Sequence, residues 1–472
     1  MWIAQIWRRL PPILSLGLGL ILAGCAGPPV ASEQPLPPPV TPTNEQVPGP
    51  AIIPFFTTET DPEQIATLQT LIAEYQATNP DVVVEIVPLS PTIRGRRLLT
   101  ALAAGADLGI FEIEPTFMTD WAEAGYLLPL DDVVEAIGPS DYVPGSLFRY
   151  DGAVYALPYA TSVYGLWVRT DRLAEHGLPI PETYDDVVAA ARTLTDGTLN
   201  GIAQPAGQNI ASVNYFSTFL WQNDADYFTC EGEVAFATPE ALDAVTKWAE
   251  LLQYAPPGAA TWGYAEQIDA FLRGRVAMAM YGGRLGVHLA AQAPELEDNT
   301  TVIFPPWGPE EVTLGVWSRL AIASGTTHQR EARAFLSWLL SGDRLLRFDL
   351  TVPGHMIPPL QSVQAMVLAA ESPYVRQHGD WLRSFLTWAE ITNHPVMNMG
   401  SVRGGHFTRS ELPTPWGSAI FGTRGVISTM LQAIALGKST PEAAWRHAVD
   451  EMETVVAAWK AEHPEWRPPV CQ

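Results

Sequence analysis

The 472-residue chain has only three cysteines, Cys25, Cys230 and Cys471, with no CxxC pair and no Cys/His cluster. A structural zinc site and a disulfide-dense scaffold are therefore excluded. Basic residues are scarce: 27 Lys and Arg stand against 51 Asp and Glu, a formal net charge of -24. Such a balance argues against a nucleic-acid partner and reads as solubility at a cell surface. The nine histidines are scattered, and there is no Gly-x-Ser-x-Gly elbow, His-Glu-x-x-His helix or P-loop. No catalytic constellation, metal site or cofactor is expected. No period of solenoid length recurs. What is abundant is apolar residue (47%) and tryptophan (16), ample for two or more domains with real cores.

Arg8 and Arg9 precede a short apolar run, Pro11 to Leu22, that ends in Leu22-Ala23-Gly24-Cys25. The run is too short to span a bilayer comfortably. Small residues before a cysteine resemble the lipobox of bacterial lipoproteins. The resemblance implies a signal peptide over 1–24, lipid attachment at Cys25, and a chain held on the outer face of the cell membrane, or its periplasmic side, through that lipid alone. The other reading, an uncleaved anchor helix with an incidental cysteine, does not leave the chain cytoplasmic either. Residues 25–50 are crowded with proline and form an extended tether, reaching roughly 75 Å at ~3.1 Å per residue. The folded body starts at Ala51. Cys230 and Cys471 are left in an oxidising compartment, where they either pair or remain two unrelated thiols.

Ala51 to Phe56 reads as a strand, and Asp61-Pro62 opens a helix through Tyr75 with apolar positions Ile65, Leu68, Leu71 and Ile72. A strand at Val82–Val87, a helix at Leu98–Ala104 and a strand at Leu108–Ile113 follow, the grammar of a parallel sheet. A second α/β segment begins with a strand at Tyr164–Val168. It continues with helices at Tyr184–Leu194, Val213–Gln222 and Pro239–Tyr254, a strand at Arg275–Met280 and an extended run at Val312–Ala323. Helical spacing returns at Arg330–Leu340 and Thr440–Lys460.

Several segments, read in order, resemble the family 1 extracellular solute-binding proteins of the maltose-binding type. They are Ala104 to Leu108 with Gly125-Tyr126-Leu127-Leu128-Pro129-Leu130-Asp131, then Asp151-Gly152-Ala153-Val154-Tyr155-Ala156-Leu157-Pro158, then Pro181 to Asp186. Phe271 to Met278, Leu314-Gly315-Val316-Trp317-Ser318 and Ala435 to Ala443 complete the series. Ala106 and Tyr184 depart from the usual proline and tryptophan. The resemblance implies a two-lobed α/β periplasmic-binding-protein-like fold of type II, with the ligand cleft between the lobes. Lobe 1 is expected over 51–158 plus 318–391 and lobe 2 over 163–316 plus 396–472. The crossings fall near 158–162, at 317 and at 392–396. The implied function is capture of a small solute, a sugar or oligosaccharide, by a monomer that delivers it to the permease subunits of an ABC importer.

Candidate ligand contacts follow from position and chemistry. Sugar clefts need aromatic faces and a few polar groups for hydroxyls. Trp317 stands at the second crossing, Tyr159 and Tyr164 flank the first, and Phe56 and Glu112 lie at strand ends that face the crevice of an open sheet. Tyr215 and Trp262 are candidates that can equally fill cores, while Trp307 and Trp416 fit either rim or core. In Tyr281-Gly282-Gly283-Arg284, Arg284 stands where relatives often carry a stacking tryptophan. It suits an acidic ligand group or pairs with a local acid. His355 lies in a loop that resembles one near the cleft. Two further readings stay open: an exported carbohydrate-acting enzyme using Glu112 and Glu114, whose adjacent placement fits a glycosidase poorly, and a sensor or adhesion module on the same fold.

Overall fold

The computed structural model describes residues 49–89, 94–143, 146–229, 231–393, 397–399, 409–413 and 415–467. Cys25, Cys230, Cys471, the signal peptide, most of the tether and residues 394–396 of the third crossing lie outside them. No helix among the described residues is long and apolar enough to cross a membrane.

The strands of the described residues, in chain order, are β1 (Ala51–Thr57), β2 (Val82–Pro88), β3 (Ile110–Ile113), β4 (Arg149–Tyr150), β5 (Ala153–Val154), β6 (Leu157–Arg169), β7 (Asn200–Ala203), β8 (Val276–Gly282), β9 (Thr300–Ile303), β10 (Thr313–Ile322), β11 (Thr392–Asn393), β12 (Met397–Met399) and β13 (Arg409–Pro413). Nine of them form one sheet in the order β2-β1-β3-β10-β6-β8-β7, with β11 on β10 and β9 on β6. The βαβ grammar holds where it was read: β1 pairs in parallel with both β2 and β3. It fails at β10, which runs antiparallel to β3 and to β6.

Local sequence explains the helices that brace this sheet. Asp61 and Pro62 start the helix Pro62–Thr78, where the Gln64 side chain accepts from the Asp61 amide (3.2 Å). Its stripe Leu68, Leu71, Ile72 and Tyr75 is buried against the sheet. Thr183 and Asp186 close a reciprocal capping box on the helix Tyr184–Leu194.

Three buried clusters flank the sheet. Ile53, Phe55, Leu68 and Phe335 lie on one face of β1, while Phe56, Leu98, Phe111 and Trp121 lie on the other. The third cluster gathers Trp167, Val187, Phe216, Trp248 and Met278 around β6 and β8. Two long strands belong to both halves. On β6, Leu157, Tyr159 and Ala160 pack in the first core and Val163 to Val168 in the third. On β10, Leu314 packs in the third core and Leu320 and Ile322 in the first. The handover thus falls at Thr161–Ser162 on β6 and at residues 315–319 on β10, where the pairing register shifts between Ser318 and Arg319. The helix Gly379–Trp388 straddles the halves, with Leu382 in the first core and Phe385 in the third.

Candidate functional site

The carboxyl ends of β1 and β3 open toward this handover, the crevice position of an open α/β sheet. Glu112, at the end of β3, is buried. Its carboxylate accepts hydrogen bonds from Thr57 Oγ1, the Thr58 amide (3.0 Å) and Thr58 Oγ1 (2.5 Å), so β1 and β3 are tied together at their ends. The chain leaving β1 supplies Glu59, which accepts from Gln64 Nε2 (2.5 Å) and Tyr159 Oη (3.3 Å).

Arg284 comes to this corner from the other half, at the start of the helix Arg284–Gln292. It donates through Nη2 to Glu59 (2.7 Å) and through Nη1 to Asp61, so its guanidinium is held by two carboxylates more than two hundred residues away in sequence. Burial pulls the Arg284 pKa down, but the charges of Glu59 and Asp61 more than offset this and hold it above its ordinary value. Of the two roles the sequence allowed, the structure shows Arg284 in an ion pair, made with acids of the other half rather than with local ones. The approach of the halves is close here: a Cβ added at Gly283 would lie 2.2 Å from the Gly354 carbonyl carbon. His355, in the same loop, stacks on Tyr281 at 6.3 Å and hydrogen-bonds Ser162 through Nε2 (3.1 Å). Burial first, and then the Arg284 charge, depress its pKa, leaving a neutral imidazole.

Four tyrosines pack edge-to-face on the second half. Tyr164 meets Tyr215 and Tyr281 at 5.9 and 5.6 Å, and Tyr264 meets Tyr215 and Tyr281 at 6.0 Å each. Their polar ends are organised by amides, with Asn214 Nδ2 donating to Tyr264 Oη (2.7 Å) and Gln267 Nε2 to Tyr215 Oη (2.8 Å). Burial pushes the Tyr281 hydroxyl up to about 12 and raises Tyr164, Tyr215 and Tyr264 as well, so all four remain O–H groups. Tyr264 is half-buried and feels the negative charge of Glu114 from the end of β3. Rings, hydroxyls, amides and carboxylates from both halves are the groups that match a polyhydroxylated solute.

The expected residues divide. Trp317 is half-exposed on β10, opposite Thr161. Tyr164, Tyr281, Arg284, His355 and Glu112 gather at the crevice corner. Phe56 does not: as one of two consecutive strand residues it points into the core with Leu98 and Phe111 and is fully buried. Tyr159 is likewise a core residue that reaches the corner only through its hydroxyl, and Tyr215 forms a buried layer behind Tyr264. Trp262 is buried, its carbonyl accepting from Asn209 at the cap of the helix Ile210–Gln222. Trp307 and Trp416 are core, Trp307 stacked on Phe219 at 4.4 Å. Glu59, Asp61, Asn214, Tyr264 and the buried Arg319 were not anticipated. Arg319 had a signal, a lone charge inside the apolar run of β10.

The sequence pattern of the bacterial extracellular solute-binding protein family matches residues 60–343. A protein of Escherichia coli K12, YcjN, described as an ABC transporter periplasmic-binding protein, is 25% identical over 413 residues, covering 85% of this chain and 92% of its own length. The mannitol-binding protein of Pseudomonas aeruginosa is 25% identical over 298 residues, 58% of this chain and 66% of that one. The structure of maltose-bound MalE3 from T. maritima superposes with a TM-score of 0.72 at 18% identity, covering 86% of this chain and all of that one (100%). The two-lobed, maltose-binding-type fold expected from the sequence is therefore the fold observed.

Proposed function

Because the chain belongs to the bacterial extracellular solute-binding proteins, we propose that it captures a sugar or polyol in the crevice between its halves and passes it to the permease of an ABC importer. One observation carries the choice of solute. A half-exposed Trp317 stands on β10 where the two cores meet, and Tyr264, at the edge of the tyrosine cluster, feels the charge of Glu114 from the opposite half, the combination of aromatic face and carboxylate that stacks a carbohydrate ring and engages its hydroxyls. The mannitol-binding and maltose-bound relatives support the same class. We divide the body into lobe 1, 51–158 plus 318–391, and lobe 2, 163–316 plus 396–472. The two strands shared between cores act as the hinge. Contacts from both lobes favour the closed form by their differential affinity for it, and the closed form docks on the permease.

The family's members are binding proteins, and capture without catalysis is the reading for this chain. Its placement is that of an exported lipoprotein, with residues 1–24 removed and Cys25 lipidated, a reading that rests on the N-terminal sequence. Thermal-shift measurement against sugars, polyols, peptides and polyamines tests the function, since a ligand of the native state raises apparent stability. A saturable rise with one sugar or polyol class is expected. A response confined to peptides or polyamines would overturn the solute class.

A further inference from the structure

Two arginines lie where the halves meet, and among the described residues carboxylates neutralise Arg284 and not Arg319. Arg284 is held by Glu59 and Asp61. Arg319 is 1% exposed, yet its guanidinium meets no carboxylate among the described residues. Nη1 donates to the Trp317 carbonyl (3.2 Å) and Nη2 to the Ser146 carbonyl (3.1 Å), while Nε–H has no acceptor. The ring of Phe148 lies 4.3 Å from Cζ and that of Trp317 5.9 Å. Two peptide carbonyls and two ring faces lower the cost of burying a guanidinium but leave its unit charge unbalanced. Burial alone pushes its pKa down to about 9, with no carboxylate acting to restore it.

Its place in the sheet puts that charge where β10 passes between the two cores. β10 pairs Arg319 with Ile113, between Glu112 and Glu114 at the open end of β3. The register shift immediately before it, at Ser318, breaks the alternation of the strand, a device that re-aims a side chain. Trp317 and Ser318, the residues leading into it, are half-exposed where β10 passes between the two cores. A buried, unpaired charge is ordinarily lost or matched, because an isolated one costs far more than a paired one.

Resting on the solute-binding reading above, we propose that Arg319 is the anion receptor of the crevice and that the solute is a sugar or polyol carrying a carboxylate or phosphate group. Trp317 takes the apolar face of the solute. Arg319 supplies the orphaned Nε–H and its charge to the anion, forming the charge-assisted pair that no described residue provides. The role the sequence offered to Arg284 passes to a residue thirty-five positions later.

The test is isothermal titration of the purified full chain with neutral sugars and polyols, each beside its uronate or aldonate and its phosphate ester. At least one anionic member should bind about 10-fold or more tightly than its neutral parent, the scale of a hydrogen bond to a charged group. Arg319→Met should abolish that preference, bringing the ratio of anion to parent affinity to within about 3-fold of one, since the charged contact is what distinguishes the two ligands. Whether the uronate or the phosphate prevails identifies the anion. A neutral parent that binds as tightly as its anions overturns the proposal and leaves solute capture standing. So does an anion preference that survives Arg319→Met. Binding of no sugar or polyol, charged or neutral, overturns the proposal together with the carbohydrate reading beneath it. Should Arg319→Met not fold, Arg319→Lys, which keeps the charge but lacks the Nε–H, should weaken the preference, and a preference unchanged in that variant overturns the proposal.

Discussion

Replacing Arg284 with methionine removes the ion pair that joins the two halves, and its cost can be worked from exposure. The side chains of Arg284 and Glu59 are 16% and 11% exposed, whereas Asp61 is 44% exposed. Breaking a fully buried pair from one side costs about 3–5 kcal/mol, because the remaining charge is stranded. Glu59 keeps its bonds from Gln64 and Tyr159, which lowers its share to about 2–3 kcal/mol. Asp61 is wet enough to add less than about 1 kcal/mol. The total of about 3 kcal/mol should appear in urea unfolding as a lower midpoint with an unchanged slope. The double variant Arg284→Met/Glu59→Gln should recover part of the loss, since the stranded charge is gone. An Arg284→Met protein within about 0.5 kcal/mol of the parent, the range of an ordinary surface change, would refute the assignment of a buried interlobe pair.

Three further changes follow from the same geometry. Burial raises the Asp226 carboxyl to about 8, against donors Tyr227 N (2.7 Å) and Trp221 Nε1 (3.2 Å) that pull it down. Its folded-state pKa lies above the unfolded value of about 3.9, so the native state keeps the proton and stability falls as pH rises from about 4 to 8. Asp226→Asn should remove that slope and add up to about 4 kcal/mol at pH 7, roughly three pH units of linkage at about 1.4 kcal/mol each; an identical decline in urea midpoint between pH 5 and 8 would contradict it. Gly283→Ala drives a Cβ into the Gly354 backbone, which cannot yield as a side chain would, and should cost about 2 kcal/mol and lower the melting temperature. Thr183→Ala removes the cap on Asp186 N and should cost about 1 kcal/mol in the same assay.

Elements governed by local sequence were legible to within a few residues. The helix Tyr184–Leu194 and the strand from Val82 carry their own periodicity and caps, and both appear where expected. Helix Arg94–Ala103 starts four residues earlier than its apolar pattern, because its first turn is arginine-rich and shows no hydrophobic face. The thirteen-residue β6 was seen only at its far end, since a strand buried throughout and shared by two cores has no alternation to read. The antiparallel entry of β10 between β3 and β6 depends on pairing over long sequence separations, which periodicity cannot report.

The site was legible where a motif led to it and opaque where only folding joins the parts. Arg284 was singled out, but its partners Glu59 and Asp61 lie 225 and 223 residues away, and Asp61 had already been read as a helix start. Phe56 was misplaced because two adjacent aromatic residues at a strand end give no sign that both faces of the strand are covered. Tyr264 follows a glycine cap on a short helix, a place that carries no mark of binding in sequence alone.

The central claim is that solute draws the two halves together about β6 and β10. Small-angle scattering of the protein before and after saturation with the sugar or polyol found by thermal shift tests it directly. A fall in the radius of gyration on binding, reversed when the ligand is dialysed away, is the predicted result. Saturable binding with an unchanged radius would contradict closure of the crevice over its solute.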